Sequence, residues 1–209
     1  VNVNESERGT KEKETIRLGV STGVGLRPFS CTLAPGAPPV STLLATVCAL
    51  PNGTLRLQFA LEGRLEALRV PEAGEPPAGP LWQHTCFEAF VSAPEEEGYH
   101  EYNFSPAGHW AASAFLRYRE AARPLKEENL ALPVTSTRHT GHRTGRLTLC
   151  AEVPPVLLPA SPVLRLGIAA VIEHRNGNLE YWALHHPVER PDFHHADGWT
   201  LQVEMQRGP

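Results

Sequence analysis

Trp82, Glu88, Asn103 and Trp182 are the residues of this sequence best suited to gripping a small polar ligand, and their chemistry suits a sugar. An indole face packs against the C–H surface of a pyranose, while carboxylates and amides hydrogen-bond its hydroxyls. Their spacing brings them together if the segments around them are strands, where side chains alternate between two faces. From Trp82 onward one face would carry Trp82, His84, Cys86, Glu88 and Phe90, and the other Gln83, Thr85, Phe87, Ala89 and Val91. Phe87, Ala89 and Val91 read as core, which turns Trp82 and Glu88 outward. Tyr99, Glu101 and Asn103 share a face of the next segment, and Glu180, Trp182, Leu184 and His186 fall together later in the chain. The expected contact set is therefore Trp82, His84, Glu88, Asn103, Trp182 and His186. The competing expectation is that both tryptophans are core residues whose N–H groups are satisfied within the protein.

Histidine is the next feature. Ten are present, and the pairs His185-His186 and His194-His195 bracket a proline-braced loop that also holds Asp192. His185, Asp192 and His194 are candidate zinc or iron ligands. No HxxxH helix or HxH strand pair accompanies them, so loop ordering by side-chain hydrogen bonds competes with metal ligation. Catalysis finds less support, because no GxSxG elbow, phosphate-binding loop or GxGxxG follows a strand. Glu88 and Glu101 would make a glycosidase pair if about 5 to 10 Å apart. Acids on paired strands are common without catalysis, however, and the expectation is a binding protein rather than an enzyme.

The elements that must position these residues are strands. Leu43–Ala49 and the alternating run from Leu55 to Ala60 flank the turn Pro51-Asn52-Gly53, a hairpin signal. Trp82–Val91 and Tyr99–Phe104 form a second hairpin whose tip carries the solvated acids Glu95, Glu96 and Glu97. Residues 110 to 121 fit either a short helix or an extended connection. Leu147–Val153, Leu164–Glu173 and Leu179–His185 add three strands, the last two joined by Asn176-Gly177-Asn178, and Gly198–Met205 closes the fold. Short strands punctuated by 20 prolines predict an all-β, antiparallel two-sheet β-sandwich, jelly-roll-like, with at most one short helix. Residues 1–27 show no period and little apolar surface, and are expected to be a flexible tail preceding one domain over residues 28–206.

With 209 residues, of which 41% are hydrophobic and 20% charged, the chain suffices for one domain with a sizeable core. A net charge of −4 supplies no basic field for a phosphate backbone, so nucleic acid is not the expected partner. No apolar run approaches the roughly 20 residues that span a bilayer, so no membrane association is expected. Four isolated cysteines, Cys31, Cys48, Cys86 and Cys150, form no CxxC pair; Cys86 and Cys150 are expected to be buried thiols. Val1–Glu14 lacks the apolar core of a secretion signal, and with the unpaired cysteines this points to a cytoplasmic protein.

The stretch from Leu81 to Val91, then Tyr99 to Gly108, and finally His186-Pro187 through Pro191-Asp192-Phe193-His194-His195, resembles the bacterial DOMON-like domain proteins. These are relatives of the family 9 carbohydrate-binding modules, and the resemblance spans about residues 28 to 206. It implies a jelly-roll sandwich and a non-catalytic module in which two tryptophans hold a terminal sugar while acids and amides bind its hydroxyls. Trp82 and Glu88 match that pattern, with Trp182 as the second aromatic. His84-Thr85 stands where the modules carry an acidic pair that serves sugar and calcium contacts. The wider group includes haem-binding domains, so calcium or haem enters as an alternative cofactor. Haem would require axial ligands such as Met205, the one methionine, or two histidines. A protein-interaction module with no small ligand is the remaining alternative.

Overall fold

Leu55, Leu57, Phe59 and Leu61 are fully buried, while the alternating Arg56, Gln58 and Glu62 face outward. That period of two recurs along the chain and builds two stacked sheets. The computed structural model describes residues 14–17, 19–29, 38–125, 132–141 and 144–205. In chain order its strands are β1 (Glu14–Ile16), β2 (Thr22–Gly25), β3 (Arg27–Pro28), β4 (Val40–Ala49), β5 (Leu55–Gly63), β6 (Cys86–Ser92) and β7 (Tyr99–Phe104). They continue with β8 (Trp110–Arg117), β9 (Glu120–Pro124), β10 (Val134–His139), β11 (Gly145–Val153), β12 (Val163–Glu173), β13 (Leu179–Ala183) and β14 (Leu201–Glu204). The helical elements among the described residues are four 3-10 turns of three residues each. The molecule is thus all-β, as its turn and alternation pattern predicts.

One sheet has five strands in the order β10-β11-β5-β4-β2. The other has nine, running β1-β14-β12-β6-β7-β8-β9, with β13 also paired to β12 and β3 paired to β13. β12 is long enough to take two partners along one edge, β14 at Val163–Leu166 and β13 at Ala169–Glu173, while β6 takes its other edge. The sheets close on a core that includes Phe59, Leu61, Leu149, Phe87, Ala89, Val91, Ile168 and Ile172. Phe59 meets Phe87 with ring centroids 4.9 Å apart, linking the two sheets. Burial of each of the larger of these side chains stabilises the fold by about 1.5–3 kcal/mol.

The expected hairpins form where the turn residues place them. Gly53 and Gly177 adopt φ of 81° and 86°, the left-handed conformation that glycine takes without steric penalty. Residues 110 to 121, left open between helix and extended chain, are the strands β8 and β9. The strand expected from Trp82 starts later, at Cys86, because Gln83 and His84 donate backbone hydrogen bonds to the Pro80 and Leu81 carbonyls and wind Leu81–Gln83 into a 3-10 turn.

The expected tail needs correction. β1 pairs in parallel with β14 and buries Ile16, and β2 pairs with β4, so folded structure begins well before Pro28. The order comes from backbone hydrogen bonds to existing sheet edges, which an apolar-surface reading of the segment does not weigh. Residues 1–13 and Cys31 lie outside the described residues. Cys86 is buried as expected, whereas Cys150 lies on the outer side of β11 and is only half-buried.

Candidate functional site

β6 is buried on both faces. Its odd-numbered residues enter the core between the sheets; its even-numbered ones, Glu88 and Phe90, face the opposite side of the nine-stranded sheet. There the chain between β13 and β14 folds across the sheet. Trp199 packs so closely on Gly167 that a Cβ at that position would lie 2.1 Å from the indole. Phe90, Tyr99, Ala169, Ala183 and Trp199 form a second apolar cluster under this segment, with Phe115 and Phe193 against it.

Beside that cluster opens a cavity of about 450 Å³, lined by Trp82, Glu88, Glu101, Tyr181, Phe193 and His194, with Gln83, Phe115 and Arg119 among its other walls. Each element contributes for a local reason. The 3-10 turn lifts Trp82 off the sheet and leaves it 53% exposed. β6 and β7 supply the two acids on diagonal positions, since Glu88 pairs with Asn103 and Glu101 pairs with Phe90. β13 supplies Tyr181, whose ring lies 6.1 Å from that of Phe193. Arg119, at φ 56° in the turn from β8 to β9, reaches back to the loop.

Glu88 is 3% exposed. Among the described residues its carboxylate has neither a hydrogen-bond nor an ion-pair partner. No fully enclosed side-chain oxygen or nitrogen there lacks a partner, so the Glu88 oxygens must open onto the cavity. Burial, and then the charge of Glu101, push its pKa well above the usual carboxylate range. Burial also raises Glu101, opposed by a hydrogen bond from Asn103 and by the charge of Arg119. Asn103 Nδ2 donates to Glu101 Oε1 at 2.9 Å, so Asn103 orients an acid rather than lining the cavity itself.

The loop side is a relay. Arg119 N–H donates to Tyr99 Oη at 3.1 Å, and that hydroxyl lies 2.7 Å from His194 Nδ1. The hydroxyl and Nδ1 share one hydrogen between them, and the tautomer of His194 sets which of the two donates. Burial first, and Arg119 second, hold His194 down to about 4, so it is neutral at pH 7. Burial alone would raise Asp192, but hydrogen bonds from Tyr118 and Arg119 win and hold it below its ordinary value. The Arg119 guanidinium lies 2.9 Å from Asp192 Oδ1.

Of the residues expected at the site, Trp82 and Glu88 come together at the cavity, and Asn103 stands behind Glu101. Trp182 does not. It is 4% exposed in the core between the sheets, with Nε1 donating to Glu180 Oε2 at 3.0 Å. Glu180 reads in the sequence as solvent-facing, but His174, 2.8 Å from its other oxygen, lets it be buried, and the strand is turned accordingly. Tyr181, one residue away, is the β13 aromatic at the cavity. His84 is paired with Glu173 at 2.9 Å and His186 with the Arg27 carbonyl at 3.0 Å, neither of them on the cavity wall.

The metal candidates separate as well. Asp192 is taken by Tyr118 and Arg119, and His194 by Tyr99. Among the described residues no group of three or more His, Cys, Asp or Glu gathers to hold a metal ion. Met205 packs against the core rather than at the cavity, which does not fit haem ligation there. Tyr181, Phe193, Arg119 and His194 are cavity residues that sequence reasoning did not place as ligand contacts. Period-two alternation around β13 was the one available signal, for Tyr181.

The fold and this outer-face cavity define an antiparallel β-sandwich with a ligand-sized recess on one sheet. A Bacteroides uniformis protein to which carbohydrate binding is ascribed has a similar structure, with a TM-score of 0.64 over 93% of this chain and 100% of that chain at 13% identity. A family 9 carbohydrate binding module from Caldicellulosiruptor kristjanssonii, solved with cellotriose, aligns at a TM-score of 0.47 and 6% identity over 94% of each chain. Its complex with glucose gives 0.45 and 8%, covering 94% of this chain and 97% of that one. No protein-family model matches the sequence, and no curated protein does.

Proposed function

We propose that the protein is a non-catalytic carbohydrate-binding module whose ligand enters the outer-face cavity against Trp82. The observation that carries this reading is the pairing of a half-exposed indole with a buried, partnerless carboxylate on one recess of about 450 Å³. That volume lies within the range of small-ligand pockets, and apolar walls with a few convergent polar groups are their usual make-up. Trp82, Tyr181 and Phe193 supply faces for a pyranose, Glu88 and Glu101 bind its hydroxyls, and the neutral His194 ring adds a further polar edge. The fold likeness to the Bacteroides uniformis protein, with the binding ascribed to it, agrees with the reading.

A thermal-shift screen against mono- and oligosaccharides tests it. A ligand that binds only the folded protein adds about 2.7 kcal/mol of stability at a hundredfold excess over its Kd. Trp82→Ala is expected to abolish the shift while leaving the unliganded Tm nearly unchanged, because the indole is half in water. A flat response of the wild-type protein across the panel would remove the carbohydrate reading.

A further inference from the structure

Charge at the cavity is unbalanced. Arg119 is the one Lys or Arg among the described residues lining it, and its guanidinium is engaged by the buried Asp192 carboxylate at 2.9 Å and by the Tyr118 hydroxyl. His194 carries no compensating charge at pH 7, because burial and the neighbouring Arg119 guanidinium keep it neutral. Glu88 and Glu101 therefore face the recess as acids on adjacent strands, neither in an ion pair among the described residues, with Arg119 acting on Glu101 only at a distance. Glu88 receives no hydrogen bond and Glu101 receives the one from Asn103.

Burial holds Glu88 toward its protonated form, and a ligand that brings donors and positive charge together draws both carboxyls into the ionised, acceptor-only state. A hydroxyl both donates and accepts, so it binds the protonated Glu88 carboxyl as readily as the ionised one and does nothing to offset the charge of the pair. An ammonium has three donors and no acceptor, and offsets that charge. The surrounding walls favour the same group, since a cation is attracted to aromatic faces and Trp82, Tyr181, Phe193, Phe90 and Phe115 all line the recess.

Building on the carbohydrate-binding reading, we infer that the ligand class is an amino sugar whose free ammonium sits between the Glu88 and Glu101 carboxylates while its ring rests on the aromatic walls. Glu88 is the specificity-determining residue, because it is the acid with no protein partner to compete with the amine.

The experiment is calorimetric titration of the full chain with D-glucosamine, D-glucose, N-acetyl-D-glucosamine and methylammonium, at a pH where the amines are protonated. Replacing a neutral hydrogen bond by a charge-assisted one predicts about tenfold tighter binding of glucosamine than of either neutral sugar. Glu88→Gln, nearly isosteric, is expected to bring glucosamine down to the level of glucose, and Glu101→Gln provides an independent second variant. Glucose or N-acetylglucosamine binding as tightly as glucosamine would overturn the amine inference and leave the carbohydrate reading standing. Methylammonium matching glucosamine would overturn the sugar part. Binding of none of the four would overturn the inference, and the saccharide screen would then decide the broader reading by itself.

Discussion

Glu88 sits where a carboxylate is held at a disadvantage: 3% exposed, without a donor, and diagonal to Glu101 across the β6–β7 pair. Its pKa in the folded protein lies well above the ordinary glutamate value of 4.5. In the window between those values the folded state binds more protons than the unfolded one, so stability falls as pH rises through it. The groups around it are Glu101 on β7, which acts in the same sense, and Arg119, Asp192 and His194 from the turn and loop. His194, lowered from 6.5 to about 4, works the other way between those values, since its neutral form is the folded one. Comparing Glu88→Gln with the wild type isolates the acid. The variant should gain in relative Tm as pH rises above about 4.5, with little difference below it. A pH-independent difference between the two melting curves would mean that Glu88 is not titrating out of its usual range. At this scale the sequence is informative about residue type and ambiguous about direction. Glu88 faces outward as the alternation predicts, but Trp182 faces inward because His174 and Trp182 itself satisfy Glu180. That compensation comes from β13 and the turn before it, and no local pattern announces it.

Among the elements, β12 is the organiser. It holds β6 along one edge and both β13 and β14 along the other, so Glu88 of β6 and Tyr181 of β13 flank a single strand. Gly167 sits at the changeover, where Trp199 of the covering segment lies on the sheet. A methyl there would stand against the rigid indole rather than the end of a flexible chain. Gly167→Ala is expected to destabilise the protein by about 1–3 kcal/mol, the range for forcing extra volume into a packed site. Urea denaturation checks it, and an unchanged midpoint would mean the indole can swing away freely. The glycine in the run Leu164–Ile172 is visible in the sequence as an interruption of a strand. Its partner, 32 positions along the chain, is visible only in the fold.

For the whole molecule, the informative segment is the one before Pro28. β1 extends the nine-stranded sheet beyond β14 and β2 extends the five-stranded sheet beyond β4, so this stretch borders both layers of the sandwich. Deleting residues 1–26 removes Ile16 and Leu26 from the core as well as two ladders. At about 1.5–3 kcal/mol per buried side chain, and about 2–4 °C per kcal/mol for a domain of this size, Tm should fall by at least ~5 °C. An unchanged Tm would make the segment the dispensable tail that its composition suggests. By itself the amino-acid sequence determined the all-β class, the hairpins at Asn52-Gly53 and Asn176-Gly177, and the outward direction of Glu88. All of these follow from period-two patterning and turn chemistry, which act over a few residues. Tertiary structure alone decided that Glu14–Ile16 and Thr22–Gly25 would pair with sheet edges, that Tyr181 rather than Trp182 would reach the cavity, and that Arg119, Tyr99 and His194 would join in one hydrogen-bonded chain. Each of those depends on sheet edges and charge partners far apart in the chain, whose free energy exists only once the two sheets have closed.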